Sequence, residues 1–372
     1  MKKISKIILV FLMVIYVYLP FSACAEKTPT PSEGLEYTLS ENGTYYEVSG
    51  IGTCTDTDIV VPATHEGIAV KKIAKEAFME GTLTSVYLFE GIENIGEKAF
   101  YKCSNLKSVA LPKGLIDIEY AAFYDCQNLL NITFPEGLSI IGAFAFRGCE
   151  KLKKVIIPDS VMEIDYGAFA ACVGMETVKI SNNVQYIGTG AFMSCTSLQS
   201  VEIPDSVTDF RDGVFEGCES LKSVRIGDGI TSIPEKTFYY CEALEKIEWG
   251  KNIKVIDSFA FLGCNSLTAL TLPESLIGVG QRAFGACRSL KELYLSDSVT
   301  SLYISAFESC TNLEKIRIGK GMEHIYQWAF RGCPKLTTVE YNGTKEMWQQ
   351  ASGFFAWENV NEVICTDGKI VE

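Results

Sequence analysis

Hydrophobic positions along the chain change their spacing in a regular order. From Ala99 to Ala121 they are Ala99, Phe100, Cys103, Leu106, Val109, Leu111, Leu115 and Ile118. The first four follow i, i+1, i+4, i+7, which predicts one face of a short helix. Val109 and Leu111 are spaced i, i+2, which predicts a strand showing every second side chain to a core. Pro112 lacks the N–H a ladder needs and ends that strand. Lys113-Gly114 then makes a turn, and Leu115 and Ile118 point inward on a return path.

The same order recurs every 23 residues. Phenylalanine stands at 100, 123, 146, 169, 192, 215, 238, 261, 284, 307 and 330, and a cysteine follows each one three residues later, from Cys103 to Cys333. The strand ends fall at Leu111, Phe134, Ile157, Ile180, Ile203, Ile226, Trp249, Leu272, Leu295 and Ile318. The return column runs from Ile118 through Ile141 and Ile164 to Ile325. Alanine precedes most of the phenylalanines, with Val214 and Thr237 as departures, so the site before each ring is expected to be tightly enclosed. A fixed period of this length marks a solenoid, in which one repeat cannot bury its apolar face without its neighbours.

The unit L-x-x-V-x-L-P-x-x-(V/L)-x-x-I-x-x-x-A-F-x-x-C resembles the BspA-like class of bacterial leucine-rich repeats over residues 59 to 341. The resemblance implies a leucine-rich repeat solenoid of α/β-type repeat architecture, with 23-residue coils and a parallel strand ladder. It also implies a secreted or surface protein, since several members of that family are adhesins.

The expected organisation is a signal peptide at 1–23, a flexible tether at 24–34, an N-terminal cap at 35–62, a solenoid of about twelve coils at 63–341 and a C-terminal cap at 342–372. Lys2, Lys3 and Lys6 precede the apolar run Ile7 to Leu19, which is too short for a typical membrane span. Phe21-Ser22-Ala23-Cys24 resembles a lipobox and makes Cys24 the candidate lipid-attachment residue. Ala23-Cys24-Ala25 equally satisfies the rule for ordinary secretion, and an uncleaved anchor is a third outcome. Glu26 to Glu33, with Thr28, Pro29, Thr30, Pro31 and Ser32, holds almost nothing apolar and reads as the tether. Asn42-Gly43 between Tyr37, Leu39, Tyr45, Tyr46 and Val48 predicts a hairpin. Phe78 begins the phenylalanine column at a spacing of 22, with Gly81 in the cysteine place. At the far end, Lys345 to Ala356 predicts a helix and Val360 to Val371 a hairpin around Asp367-Gly368. Trp348, Phe354, Phe355 and Trp357 are expected to cover the last coil.

Composition narrows the function classes. Removing residues 1–23 takes away three lysines and no acids, leaving 30 basic against 46 acidic side chains and a net charge near −16. That balance argues against nucleic acid, and against docking on anionic lipid by charge. Membrane contact is then expected only through the lipid anchor. Fourteen cysteines in an exported chain would ordinarily suggest disulfides. Eleven of them occupy one core column, however, and are expected to be buried free thiols acting as small hydrophobes. No C-x-x-C spacing is present, so no metal site is expected, and no cofactor is implied. His65 and His324 have no partner in the sequence, and no nucleophile elbow, phosphate loop, paired-carboxylate motif or H-E-x-x-H occurs. An enzyme is therefore not expected.

Function is expected on the outward strand positions, which form two ladders. One runs Ser108, Asn131, Lys154 to Thr338, and the next Ala110, Thr133, Ile156 to Glu340. Neither keeps a residue type, which fits both a recognition face and unconstrained solvated positions. Tyr294 and Arg317 lie next to each other on the second ladder and are the candidate ligand contacts, because aromatics and arginine are enriched at binding hot spots. Tyr303, Tyr326 and Trp328 belong to another side. The expected partner is an extracellular protein or glycan, bound in the manner of an adhesin. The alternative is a surface scaffold or spacer without a specific ligand.

Overall fold

The computed structural model describes residues 29–351 and 358–371. The unit from Pro31 onward is one continuous solenoid. Most coils carry a three- or four-residue strand and a two-residue return strand that pair in parallel with equivalents one repeat away, while the coil at Asn131 keeps a single bridge, to Ser108. Thus Lys154 lies opposite Thr177, Ser223 opposite Lys246, and Ile141 opposite Ile164. The shift of 23 residues between partners converts the sequence period directly into register, because each ladder position must meet its own copy for the core columns to line up.

The phenylalanine column is the axis of the core. Rings from Phe78 to Phe330 stack with centroids 4.9–5.7 Å apart and within 19° of parallel. That spacing is close to the distance between neighbouring strands, so coil pitch and ring stacking satisfy each other. Beside the rings, each column thiol donates to the carbonyl of the phenylalanine in the preceding coil, at Sγ–O distances of 2.9–3.4 Å. Gly81 takes the thiol position in the first of these coils, where no earlier phenylalanine of the column offers an acceptor. The alanines before the rings are fully enclosed. Thr237, a departure from alanine, places its hydroxyl on the Pro234 carbonyl at 2.8 Å and so leaves no buried donor unsatisfied.

The helix expected around each phenylalanine does not form. Residues two before and two after the ring adopt left-handed backbone: Lys98 (φ 54°) and Lys102 (56°), Ala121 (52°) and Asp125 (53°), Lys236 (56°) and Tyr240 (53°), with glycine at some equivalent places. An α-helix needs negative φ throughout, so the segment becomes a chain of turns. Its amides alternate between two partners. Phe144, Phe146 and Gly148 donate to Tyr166, Ala168 and Ala170 in the next coil, while Ala145, Arg147 and Cys149 donate three residues back. The i, i+1, i+4, i+7 pattern is compatible with this path because the turns also return Phe and Cys to the same side. Bonds between coils outcompete helical ones because they join every coil to the next.

Ala171 tests this arrangement, with φ 56° and its amide 2.7 Å from the Met193 carbonyl. Ala171→Pro removes that donor and cannot reach positive φ, and should cost about 3 kcal/mol or more. Ala171→Gly relieves the left-handed penalty of roughly 1–2 kcal/mol and should leave the melting temperature equal or higher. Circular-dichroism melts of the two variants check both; equal melting temperatures would refute the argument.

The ends are capped. Glu36–Leu39 and Tyr46–Gly50 form the antiparallel hairpin expected around Asn42-Gly43, and the second strand continues in parallel into Ile68–Ile73. Ser32, expected within the tether, is instead buried, with its amide on the Val60 carbonyl and its hydroxyl accepting from the Val60 amide. His65, for which the sequence offers no partner, stacks on Tyr37 at 3.8 Å and meets Tyr46 edge-on. At the other end, Thr344 accepts from the Met347 amide and starts the helix Lys345–Ala351, whose Trp348 is buried 5.1 Å from Tyr341. Glu362–Cys365 adds to the ladder beside Thr338–Tyr341 and turns back into Gly368–Val371. Phe354, Phe355 and Trp357, expected to cover the last coil, lie outside the described residues.

Candidate functional site

Tyr294 lies opposite Arg317, and Arg317 opposite Glu340, on three successive strands. Because alternate strand side chains share a face, these three point outward together. The Arg317 guanidinium carbon is 5.9 Å from the Tyr294 ring centroid, and its Nη2 is 2.7 Å from Glu340 Oε2. Lys315 reaches the other Glu340 oxygen at 3.7 Å. The hydrogen bond from Arg317 holds the Glu340 carboxyl below its ordinary range. An exposed pair of this kind adds only about 0–1 kcal/mol to the fold, so its effect is to orient the guanidinium, which keeps 44% of its side-chain surface open. A depression of about 140 Å³ runs beside it, lined by Thr271, Glu292, Tyr294, Lys315 and Arg317 among others. The two residues singled out from sequence therefore stand side by side.

Tyr303 and Tyr326 follow the return strands and belong to the other ladder. Their rings are 5.2 Å apart and within 6° of parallel, and both are exposed. Trp328 is exposed beneath the Arg331 guanidinium at 5.5 Å. A third feature was not singled out from sequence. A polar depression of about 570 Å³ is lined by Asp159, Met162, Asn183, Gln185, Ser206 and Thr208. The repeated Asp and Asn at the turns were legible, but as turn formers; that they enclose a concavity follows from coil packing.

The thiol column is chemically quiet. Burial raises Cys103 to about 11 and Cys195 and Cys287 to about 12, against an ordinary value of 9.0, so the nucleophilic thiolate is suppressed. Every described cysteine is unpaired. Among the described residues no group of three or more His, Cys, Asp or Glu side chains is placed to hold a metal ion. No described helix is long and apolar enough to cross a membrane. Cys24 and the expected signal segment lie outside the described residues.

Comparison with known proteins places this architecture. A leucine-rich repeat protein from Bacteroides ovatus superposes with a TM-score of 0.59 at 25% identity, covering 91% of this chain and 99% of that one. A leucine rich cell surface protein from Faecalibacterium prausnitzii gives 0.53 at 24% identity, covering 90% and 100%. The pneumococcal vaccine antigen PcpA gives 0.51 at 18% identity, covering 89% and 98%, and shares the fold. A search of curated protein sequences finds no match. The model of the BspA type leucine rich repeat region matches in six copies over residues 71–143, 117–245 and 231–356, so with its stacked 23-residue coils this chain belongs to the BspA-type leucine-rich repeat family.

Proposed function

We propose that the chain is an exported cell-surface protein that binds an extracellular protein or glycan, in the manner of an adhesin, through its strand face. The observation that carries this reading is the Tyr294–Arg317–Glu340 row. It is an aromatic and an oriented guanidinium on a rigid ladder beside a shallow depression, the chemistry enriched at binding hot spots. Outward columns that vary in residue type on a repeating backbone give many weak contacts over an extended surface, which suits avidity more than turnover. The cell-surface description of the Faecalibacterium structural relative agrees with export. We place the anchor at Cys24, through lipidation after cleavage of residues 1–23, with release into the medium as the competing outcome.

Soluble protein from Glu26 to Glu372, which keeps the buried Ser32, should bind immobilised matrix proteins or arrayed glycans saturably. The Tyr294→Ala/Arg317→Ala double variant should bind roughly tenfold more weakly or worse, a loss of about 1.4 kcal/mol or more. Saturable binding indifferent to the double variant would move the site elsewhere on the solenoid. No saturable binding would favour the spacer.

A further inference from the structure

The polar depression of about 570 Å³ beside Asp159 continues into a second of about 380 Å³, since Met162, Gln185 and Thr208 line both. Together they form a groove across three coils. Its side chains are unengaged where their counterparts elsewhere are bonded. The Ser139 and Thr300 hydroxyls, in the column of Thr208, turn back to the Ile116 and Ile277 carbonyls of the coil before, at 3.3 and 3.4 Å. Asp205, Asp228 and Asp297, in the column of Asn182, accept from amides of the coil that follows. Among the described residues, the Asn182 and Gln185 amides and the Thr208 hydroxyl make no hydrogen bond, and all three side chains are exposed. The return ladder also stops at this place. It pairs Tyr186–Ile187 with Asp209–Phe210 and resumes only at Ser232–Ile233. Arg211 gives its amide to the Ile187 carbonyl at 3.1 Å, but Pro234, one coil on, has no amide to give Phe210. The Thr208 amide reaches the Gln185 carbonyl at 3.1 Å, while no amide of the next coil reaches the Thr208 carbonyl.

We propose that this groove binds a neutral oligosaccharide. The site lies apart from the Tyr294 row, and the proposal shares only export with the strand-face reading. The larger depression has the volume of a small-molecule site, which spans about 300–1,000 Å³. Each sugar hydroxyl both donates and accepts. The open amides of Asn182 and Gln185 and the hydroxyl of Thr208 do the same, and the Thr208 carbonyl adds an acceptor. Met162, 47% exposed, offers an adaptable apolar wall to the C–H face of a sugar ring. The charged side chains lining the groove are Asp159, Glu163 and Asp209, with no lysine or arginine among them, so an anionic sugar would be repelled. Arg211, whose guanidinium carbon is 5.9 Å from the Tyr186 ring centroid, is held by Asp209 at 2.8 Å. A peptide added as a strand needs a row of open main-chain groups. Here the amides of Gln185 and Thr208 are already bonded between coils, and that of Asn183 to the Ser181 hydroxyl.

The test titrates full-length protein with cellotetraose, maltotetraose and chitotetraose by calorimetry, and screens an array of neutral and acidic glycans. The Asn182→Ala/Gln185→Ala double variant should bind at least one neutral oligosaccharide about tenfold more weakly or worse. Gln185→Trp should fill the groove and abolish that binding. Both variants should keep the melting temperature, because the replaced side chains are exposed and bond to nothing in the protein. The Tyr294→Ala/Arg317→Ala variant should bind the same oligosaccharide unchanged. Neutral-glycan binding that ignores the groove variants, binding of acidic glycans alone, no glycan binding, or a fallen melting temperature in the double variant would each overturn the assignment. If glycan or matrix-protein binding depends on Tyr294 and Arg317 and not on the groove, this inference fails and the strand-face reading stands.

Discussion

Above pH 9 the solenoid should lose stability steeply, coil by coil, through its thiol column. Ten column cysteines, Cys103 to Cys310, are raised above the ordinary value of 9.0, first by burial. Cys195 and Cys287 stand near 12. In the unfolded chain the same thiols ionise around 9, while in the folded coil they keep their proton and its bond to the phenylalanine carbonyl. The folded state therefore binds more protons between those two values, and stability falls as pH rises through that window. Below 9 the contribution is fully present. At pH 10 an unfolded thiol gains about 1.4 kcal/mol by ionising, against a native thiol that cannot. Three adjacent coils opening together would feel about 4 kcal/mol, a large share of the 5–15 kcal/mol typical of a whole domain. Calorimetric melts under reducing conditions from pH 7 to 10.5 should show a flat region followed by a steep fall. A Cys172→Ala/Cys195→Ala/Cys218→Ala variant should start lower at pH 7 and fall less steeply. Parallel curves for the two proteins would refute the thiol column as the cause.

Truncating Phe192 to alanine should cost about 3–5 kcal/mol locally. Its ring stacks on Phe169 and Phe215, each at 5.5 Å, and is fully enclosed. Its amide donates to Val214 and its carbonyl accepts from Cys218, both of which survive the substitution, so the loss reports the ring. Neighbouring rings are held by their own backbone ladders and cannot collapse into the space, which keeps the cost near the upper end. Since each coil contacts its neighbours alone, the defect should separate the array into two halves. Hydrogen exchange should show amides from about Phe169 to Phe215 losing protection while those near Phe100 and Phe307 keep theirs. Uniform loss along the whole chain would mean a single cooperative unit and contradict the repeat-wise account.

Much of this architecture was legible in the chain because the period is exposed to any reader who aligns the phenylalanines. The strand ends, the return column and the enclosed alanines followed from spacing, since each column must face its own copy. The adjacency of Tyr294 and Arg317 followed in the same way. The segment between Lys98 and Cys103 was not legible. Lys98 and Lys102 take left-handed backbone although neither is glycine, and nothing local asks for it. The demand comes from amides that must reach the next coil. Nor did the sequence reveal what lies beside Tyr303. Gly278 looks like one more turn glycine until the coils are stacked and the Tyr303 ring is found against it.

The amino-acid sequence by itself determined the repeat length, the columns that face inward, the parallel register and the acidic balance. Those are consequences of one pattern repeated at a constant interval, and burial of apolar side chains selects the alignment. Tertiary structure alone decided that the phenylalanine segment runs as turns, that the thiols chain to carbonyls of the coil before, and that Ser32 and His65 are packed into the N-terminal cap. Each of these depends on a hydrogen bond or contact between residues more than 20 positions apart, and the energy of such a contact exists only once the coils are stacked.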